Sequence, residues 1–213
     1  MYFVKFLGFT TTIILLINVI LYLKAFLFQD KAFKVFSYYL FVICVIQITN
    51  NILGPILHLE NLFLSNIYLA GQFLLLSVFY AILLNSYKII LSILTTIFIG
   101  LIFQYIINTD LFFRYNPIGI TITQFTLIIY SVTYLYRSLN LVNSEFLIVN
   151  IGLFLYLVSS TLIFASGNLV FNIDIPTTTY DLLFRLNAIF YFIFQILIFI
   201  EWRKNYYKKT LRS

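Results

Sequence analysis

The segment Ile89–Thr109, IILSILTTIFIGLIFQYIINT, contains no charged residue and decides the fold class. A helix rises ~1.5 Å per residue, so about 20 residues cross the ~30 Å hydrocarbon core of a bilayer. The segment has that length. Its apolar residues do not alternate with polar ones, as they would in a strand of a membrane β-barrel. It is therefore predicted to be a transmembrane helix.

The rest of the 213-residue chain repeats this pattern. Hydrophobic residues make up 62% of it and charged residues 9%, whereas soluble domains carry roughly 25% charged residues. This composition excludes a soluble enzyme, a disordered protein and a nucleic-acid-binding domain. We predict one all-α seven-helix membrane domain over residues 1–202 and a basic tail over 203–213. The predicted helices are about 6–25, 35–55, 64–84, 89–108, 117–136, 146–168 and 182–202.

Lysine and arginine are distributed unequally between the two sets of loops. Seven crossings place the termini on opposite sides, and ten of the 13 Lys and Arg residues lie on the side of the C-terminal tail. Loops rich in these cations stay in the cytoplasm. We therefore expect a cytoplasmic C-terminus and an external N-terminus. The ten residues are Lys24, Lys31, Lys34, Lys88, Arg137, Arg203, Lys204, Lys208, Lys209 and Arg212.

Amides, rather than charges, are the polar groups inside the predicted helices. No Asp, Glu, Lys, Arg or His lies at a predicted helix centre, whereas proton relays and voltage sensors need such charges. Amides either join helices by hydrogen bonds or line a small polar cavity. Several of them lie toward the external side with neighbouring charged groups. Our candidate ligand-binding residues are Gln47, Asn50, Asn51, His58, Gln72, Asp181, Arg185 and Asn187.

The residues needed for common membrane enzymes are missing. The sequence has one histidine, His58, and one cysteine, Cys44, so neither a three-histidine zinc site nor a disulfide can form. Cys44 lies in an apolar stretch and is expected to be a small buried residue. The last helix has no lysine that could hold retinal. We expect a non-enzymatic protein without a cofactor, a metal or a catalytic residue.

Aromatic and basic residues mark the predicted membrane surfaces. Several rings stand near predicted helix ends, where amphipathic rings prefer the headgroup region; among them are Tyr22, Tyr38, Tyr68, Tyr87, Tyr136 and Trp202. The cations of the tail either bind anionic lipid, at ~1 kcal/mol each, or contact a cytoplasmic protein. These contact residues are Arg203, Lys204, Lys208, Lys209 and Arg212.

Two groups of short motifs carry a family resemblance. The first is Asn66-Ile67-Tyr68 with Gln72-Phe73 and Phe79-Tyr80. The second is Asn150–Leu153 with Tyr156, Ser159-Ser160 and Asn187–Tyr191. Together they resemble a loosely defined group of bacterial seven-helix integral membrane proteins, which stand alone or form the membrane part of sensor proteins. Members of this group commonly have an acidic residue at the position of Gln72. This chain lacks it, so the resemblance implies no role for an acidic residue at that position.

Two functions are compatible with these features. The first is a sensor or accessory protein of the bacterial inner membrane that binds a ligand or partner and signals to a cytoplasmic partner. The alternative is an oligomeric pore or transporter-like protein, or an accessory effector of a bacterial defence system such as RNA-targeting CRISPR. The expected partners are the lipid bilayer, a cytoplasmic protein and further copies of the chain. Direct nucleic-acid binding is not expected.

Overall fold

The computed structural model describes residues 2–59, 61–113, 116–140, 144–172 and 177–207. Side chains are described within these ranges except at 2–5, 55, 164–172, 177–181 and 183–184. The described part is all-helical and has seven α-helices, as predicted. They are α1 (Tyr2–Ala25), α2 (Lys31–Asn51), α3 (Phe63–Leu83), α4 (Tyr87–Ile107), α5 (Pro117–Ser138), α6 (Leu147–Asn172) and α7 (Thr177–Asn205).

Some helices extend beyond the uncharged segments of sequence from which we predicted them. Helix α2 begins at Lys31 rather than 35, and α7 begins at Thr177 rather than 182. An uncharged segment corresponds to the part of a helix that lies in the hydrocarbon core. The helix itself continues into the headgroup region, where charged side chains are solvated. Lys31 and Lys34 accordingly lie in the first turn of α2.

Local signals set several helix ends. The Asp30 side chain accepts a hydrogen bond of 3.0 Å from the Phe33 amide at the start of α2. Asn116 does the same for Gly119 at 3.0 Å, and Pro117 opens α5. Both are the side-chain caps that satisfy the free amides of a first turn. Helix α2 ends in a single π-helical turn, Ile52–Ile56.

Six helices form a closed ring, in the order α1, α2, α3, α5, α6 and α7, and α7 packs against α1. Helix α4 lies outside this ring, against α3 and the edge of α5. We call the end where α7 finishes the basic end of the ring; there α2, α4 and α6 begin. The other end, which holds the α2–α3 link, is the opposite end.

Large apolar side chains cover the outside of the bundle, both on the ring and on α4. Phe9, Ile99, Ile106 and Phe125 are among the exposed ones, an arrangement that suits lipid rather than water. Within the described residues, six helices are long and apolar enough to cross a membrane, and α6 contributes the apolar stretch Leu147–Ile163. The structure therefore supports a multi-pass membrane protein.

Aromatic rings fill the interior of the ring at the basic end. Neighbouring ring centroids in this group are 4.6–6.4 Å apart, and each of the six side chains is fully or almost fully buried. We call the group the aromatic plug. Its members are Tyr22, Phe33, Phe36, Phe79, Phe146 and Tyr206. A path through the ring would require these side chains to move.

Three of the aromatic residues expected at the membrane surfaces point into the bundle. Tyr22 is fully buried and donates to the Ile198 carbonyl at 3.3 Å. Trp202 is 8% exposed, and Tyr68 points into the ring, where it bonds another tyrosine. Position along a helix gives depth in the membrane but not the direction of the side chain. Three others are exposed as expected: Tyr38, Tyr87 and Tyr136.

Candidate functional site

Four tyrosines from four helices form a connected group, and Gln72 of α3 lies beside one of them, Tyr39. The hydroxyls of Tyr68 and Tyr156 are 3.1 Å apart and share one hydrogen bond. Tyr39 of α2 contacts both Gln72 and Tyr68. The ring centroids of Tyr156 and Tyr191 of α7 are 5.0 Å apart. We call these five residues the tyrosine cluster.

The tyrosine cluster lies at mid-depth and has aromatic walls. Gln72 stands near the midpoint of α3 (Phe63–Leu83). The Tyr156 ring is almost parallel to that of Phe194, with centroids 5.8 Å apart and 4° between the ring planes. Cys44 of α2 is buried as expected.

Two buried polar atoms of the cluster have no hydrogen-bond partner among the described residues. They are Nε2 of Gln72, whose side chain is 1% exposed, and the hydroxyl of Tyr191. One helical turn before Tyr191, Oδ1 of Asn187 is also buried and unpaired. An unpaired buried polar group costs ~1–3 kcal/mol, so such atoms usually face water or a ligand.

Several other interior amides join helices, which is one of our two interpretations. Asn18 of α1 donates to the Gln195 side chain at 3.1 Å and to its carbonyl at 2.9 Å. Gln124 of α5 donates to Ser160 of α6 at 3.3 Å and accepts from Thr161 at 2.8 Å. Further unpaired atoms, on Asn18, Ser77, Tyr130 and Trp202, are spread over four helices. Gln72 and Tyr191 differ because they belong to one cluster.

The predicted ligand residues do not form one group. Gln72 belongs to the tyrosine cluster and Asn187 lies one turn from it, whereas Gln47 is half-buried in α2. Asn50 accepts from Asn61 at 2.8 Å, and Asn51 donates to Thr12 at 3.4 Å. Both bonds lie at the opposite end.

The charged members of the predicted site lie apart from the cluster. His58 is exposed in the α2–α3 link, with a backbone φ of 53°. Arg185 is half-buried near the start of α7. The Asp181 side chain lies outside the described residues.

The basic tail is described only at its start. Arg203 and Lys204 are exposed in the last turn of α7. Lys208, Lys209 and Arg212 lie outside the described residues. Beside this start, Tyr206 is buried in the aromatic plug. Burial and the neighbouring carboxylates of Glu145 and Glu201 raise the pKa of Tyr206 far above its ordinary value, so its ring stays neutral.

A fully buried carboxylate connects α7 to α6 at the basic end. Glu201 Oε1 accepts from the Phe146 amide and Oε2 from the Ile148 amide, each at 3.0 Å. Asn205 also donates to Oε1. These amides open α6, where the helix dipole favours a negative charge. We call this arrangement the Glu201 clasp.

The sequence analysis did not name Tyr39, Tyr156, Tyr191 or Glu201 as site residues, although Tyr156 and Tyr191 belong to the motifs that carry the resemblance. The spacing of polar residues could have indicated Tyr191. Asn187, Tyr191 and Gln195 are four residues apart, which places them on one face of a helix. Tyr68 and Gln72 show the same spacing. Glu201 stands among cations and gave no comparable signal.

Within the part of the chain that the structure describes, no three His, Cys, Asp or Glu residues are grouped so that they could hold a metal ion. No protein-family model matches the chain, and neither a curated protein nor a solved structure matches it.

Proposed function

We propose that this chain is a membrane receptor. It binds a small molecule at the tyrosine cluster and transmits the binding event along α7 to a cytoplasmic partner at the basic end. It performs no chemistry on the ligand. The observation that carries this proposal is the group of buried polar atoms at the cluster that have no hydrogen-bond partner among the described residues: Nε2 of Gln72, the Tyr191 hydroxyl and, one turn away, Oδ1 of Asn187.

The energetic cost of those atoms favours ligand binding over helix joining. Each unpaired buried polar group costs ~1–3 kcal/mol, whereas an interhelical hydrogen bond gains on average only ~0.6 kcal/mol. An amide that served only to join helices would have its partner in place. A bound molecule that pairs with these atoms recovers the cost, which supplies part of its binding free energy.

Helix α7 provides a continuous route from the cluster to the basic end. Tyr191 contacts Gln195, and Gln195 holds Asn18 of α1. One turn further on, Ile198 accepts from Tyr22 of the aromatic plug, and then Glu201 holds the start of α6. A shift of Tyr191 on binding would therefore reach the exposed Arg203 and Lys204 through bonded neighbours.

The orientation of the chain follows from its cations. We propose a cytoplasmic C-terminus, an external N-terminus and the inner membrane of a bacterium as the location. The described cations Lys24, Lys31, Lys34, Lys88 and Arg137 all lie at the basic end or in the links there.

Reporter fusions test this orientation. A reporter that is active only in the cytoplasm should be active at the C-terminus and inactive at the N-terminus, because the cation-rich loops resist translocation. Two reporters in the same compartment would contradict both the orientation and an odd number of crossings.

Native mass spectrometry of the full chain, purified in nanodiscs from its host membrane, tests binding. The wild type should retain a small non-lipid molecule, and Gln72→Leu should not, because it removes the donor. Gln104→Leu is the matched control. It removes an amide that bonds Asn116 outside the ring, with N–O distances of 3.3 and 3.1 Å, and should keep the molecule.

Stability separates loss of binding from misfolding. Washed free of small molecules, Gln72→Leu should unfold at or above the wild-type Tm because it removes an unpaired buried group. Gln104→Leu should lose ~1 kcal/mol. Fluorescence of Trp202, the only tryptophan, should change on washing in the wild type and not in Gln72→Leu.

Two results would contradict the receptor proposal. One is the same retained molecule in the wild type and Gln72→Leu. The other is ion flux through reconstituted liposomes, which the oligomeric pore predicts and a receptor does not.

A further inference from the structure

We propose that the outer face of α2 at the basic end, together with the α1–α2 link, binds an anionic phospholipid of the surrounding bilayer. The link contains a short 3₁₀ turn, Phe26–Phe28. We define the α2 lipid site as this turn with Lys31, Lys34 and Tyr38 of α2. The site does not involve the tyrosine cluster, and its test is independent of the receptor proposal.

Direct contacts hold the link against α2. The rings of Phe26 and Tyr38 meet edge to face, with centroids 5.1 Å apart and 79° between the ring planes. The Lys34 ammonium lies 5.8 Å from the centroid of the same Phe26 ring, which is within the range of a cation–π contact. Lys31 is three residues before Lys34, so the two are neighbours on one helix face. The two lysines and the two rings therefore share one surface.

This face of α2 changes from charged to apolar along the helix axis. Spacings of three and four residues place five side chains in one stripe: Lys31, Lys34, Tyr38, Phe41 and Val45. The last three are 52%, 46% and 48% exposed, so they face away from the packed interior. The stripe offers cations to a lipid headgroup and apolar side chains to its acyl chain.

The extent of the apolar surface favours a lipid over a cytoplasmic protein. Leu27 is 77% exposed and Phe28 63%, and apolar surface gains free energy when it leaves water. A soluble partner could cover this turn. At ~1.5 Å per residue, however, Val45 lies about 16 Å further along the axis than Lys34, within the hydrocarbon core. A phospholipid spans both regions.

The local charge favours an anionic headgroup. Asp30 is the only acid among residues 1–59, and its carboxylate accepts from the Phe33 amide at 3.0 Å. Lys24, exposed in the last turn of α1, stands at the other end of the link. Three lysines and one acid leave a net charge of +2. Cations at a membrane surface attract anionic lipid, so phosphatidylglycerol should be preferred to zwitterionic phosphatidylcholine.

Brominated lipids test this preference in the full chain, reconstituted in vesicles of phosphatidylcholine and phosphatidylglycerol. Phe28→Trp places a fluorophore on the exposed turn, and bromine on an acyl chain quenches it on contact. The signal of Trp202, the only native tryptophan, is subtracted with the chain that lacks this substitution. At equal low mole fractions, brominated phosphatidylglycerol should quench the introduced tryptophan more than brominated phosphatidylcholine does. The ratio of the two local binding constants should be about five or more.

Substitutions of single lysines locate the preference. Lys34→Gln and Lys31→Gln, each made in the Phe28→Trp chain, should lower the ratio about five-fold, because each removes one cation beside the headgroup. Lys34→Arg keeps the charge and should keep the ratio. Lys88→Gln is the matched control, because it removes the same charge from an exposed lysine at the basic end, on α4 outside the ring. It should leave the ratio unchanged.

Other results would contradict the α2 lipid site. Equal quenching by the two lipids before any lysine is replaced would mean that the site does not select an anionic headgroup. Quenching by neither lipid would place the turn away from acyl chains, as a protein-covered surface would require. An equal loss of preference in Lys34→Gln and Lys88→Gln would assign the preference to the charge of the whole basic end.

Discussion

Replacing Glu201 with glutamine should lower the free energy of unfolding by about 3 kcal/mol and Tm by roughly 6–12 °C, measured by thermal unfolding in one detergent. Glutamine has the shape of glutamate but only one acceptor oxygen. Its NH₂ group would face one of the two backbone amides, Phe146 or Ile148, that the carboxylate now satisfies. One buried donor would lose its partner and meet a second donor.

The local backbone adds to this effect. Phe146 has a φ of 63°, which is unfavourable for a bulky residue and costs ~1–3 kcal/mol. Its ring is fixed in the aromatic plug and its amide by Glu201. Without the carboxylate, one of these two restraints is lost, and the start of α6 can relax away from α7.

Asp110→Asn is the matched control for Glu201→Gln. It also removes one negative charge, but Asp110 is exposed at the opposite end, so its unfolding free energy should change by no more than ~0.5 kcal/mol. Equal melting temperatures for the two variants would show that the Glu201 clasp does not hold α6.

The helices could be predicted because lipid imposes a simple rule on the sequence. Backbone groups in hydrocarbon must be satisfied within the segment, so an uncharged apolar run such as Ile89–Thr109 has one stable form. The arrangement of the helices does not follow from this rule. Helix α4 is as apolar as the others, yet it lies outside the ring, because ring membership depends on how side chains fit together.

The site was only partly predictable for a related reason. Gln72 was identified because an amide is conspicuous in an apolar helix. Tyrosine is not conspicuous, since it suits both a headgroup layer and a buried hydrogen bond; Tyr68 and Tyr38 illustrate the two cases. Glu201 could not be identified because its partners are backbone amides of another helix. Nearly every residue has such an amide, so the amino-acid sequence does not indicate which ones bind a carboxylate.

The second large effect is expected at Asn150, which joins three helices. Its Oδ1 accepts from Tyr80 of α3 and from Ser131 of α5 at 3.1 Å, and its Nδ2 donates to the Ser131 carbonyl at 3.1 Å. The Asn150 side chain is fully buried. Asn150→Leu should lower the free energy of unfolding by about 2–3 kcal/mol, because it leaves the two hydroxyls without an acceptor.

A double-mutant cycle with Tyr80→Phe tests that reason. Tyr80→Phe alone should cost about 0.5–1.5 kcal/mol, and the double variant should cost about 1 kcal/mol less than the sum, because the unpaired hydroxyl is gone. Tyr130→Phe is the control: the Tyr130 hydroxyl is buried without a partner among the described residues, so its removal should not destabilise. Strictly additive effects of Asn150→Leu and Tyr80→Phe would mean that the two side chains do not share a bond, and the Tyr68–Tyr156 hydrogen bond would then be the remaining polar link between the described parts of α3 and α6.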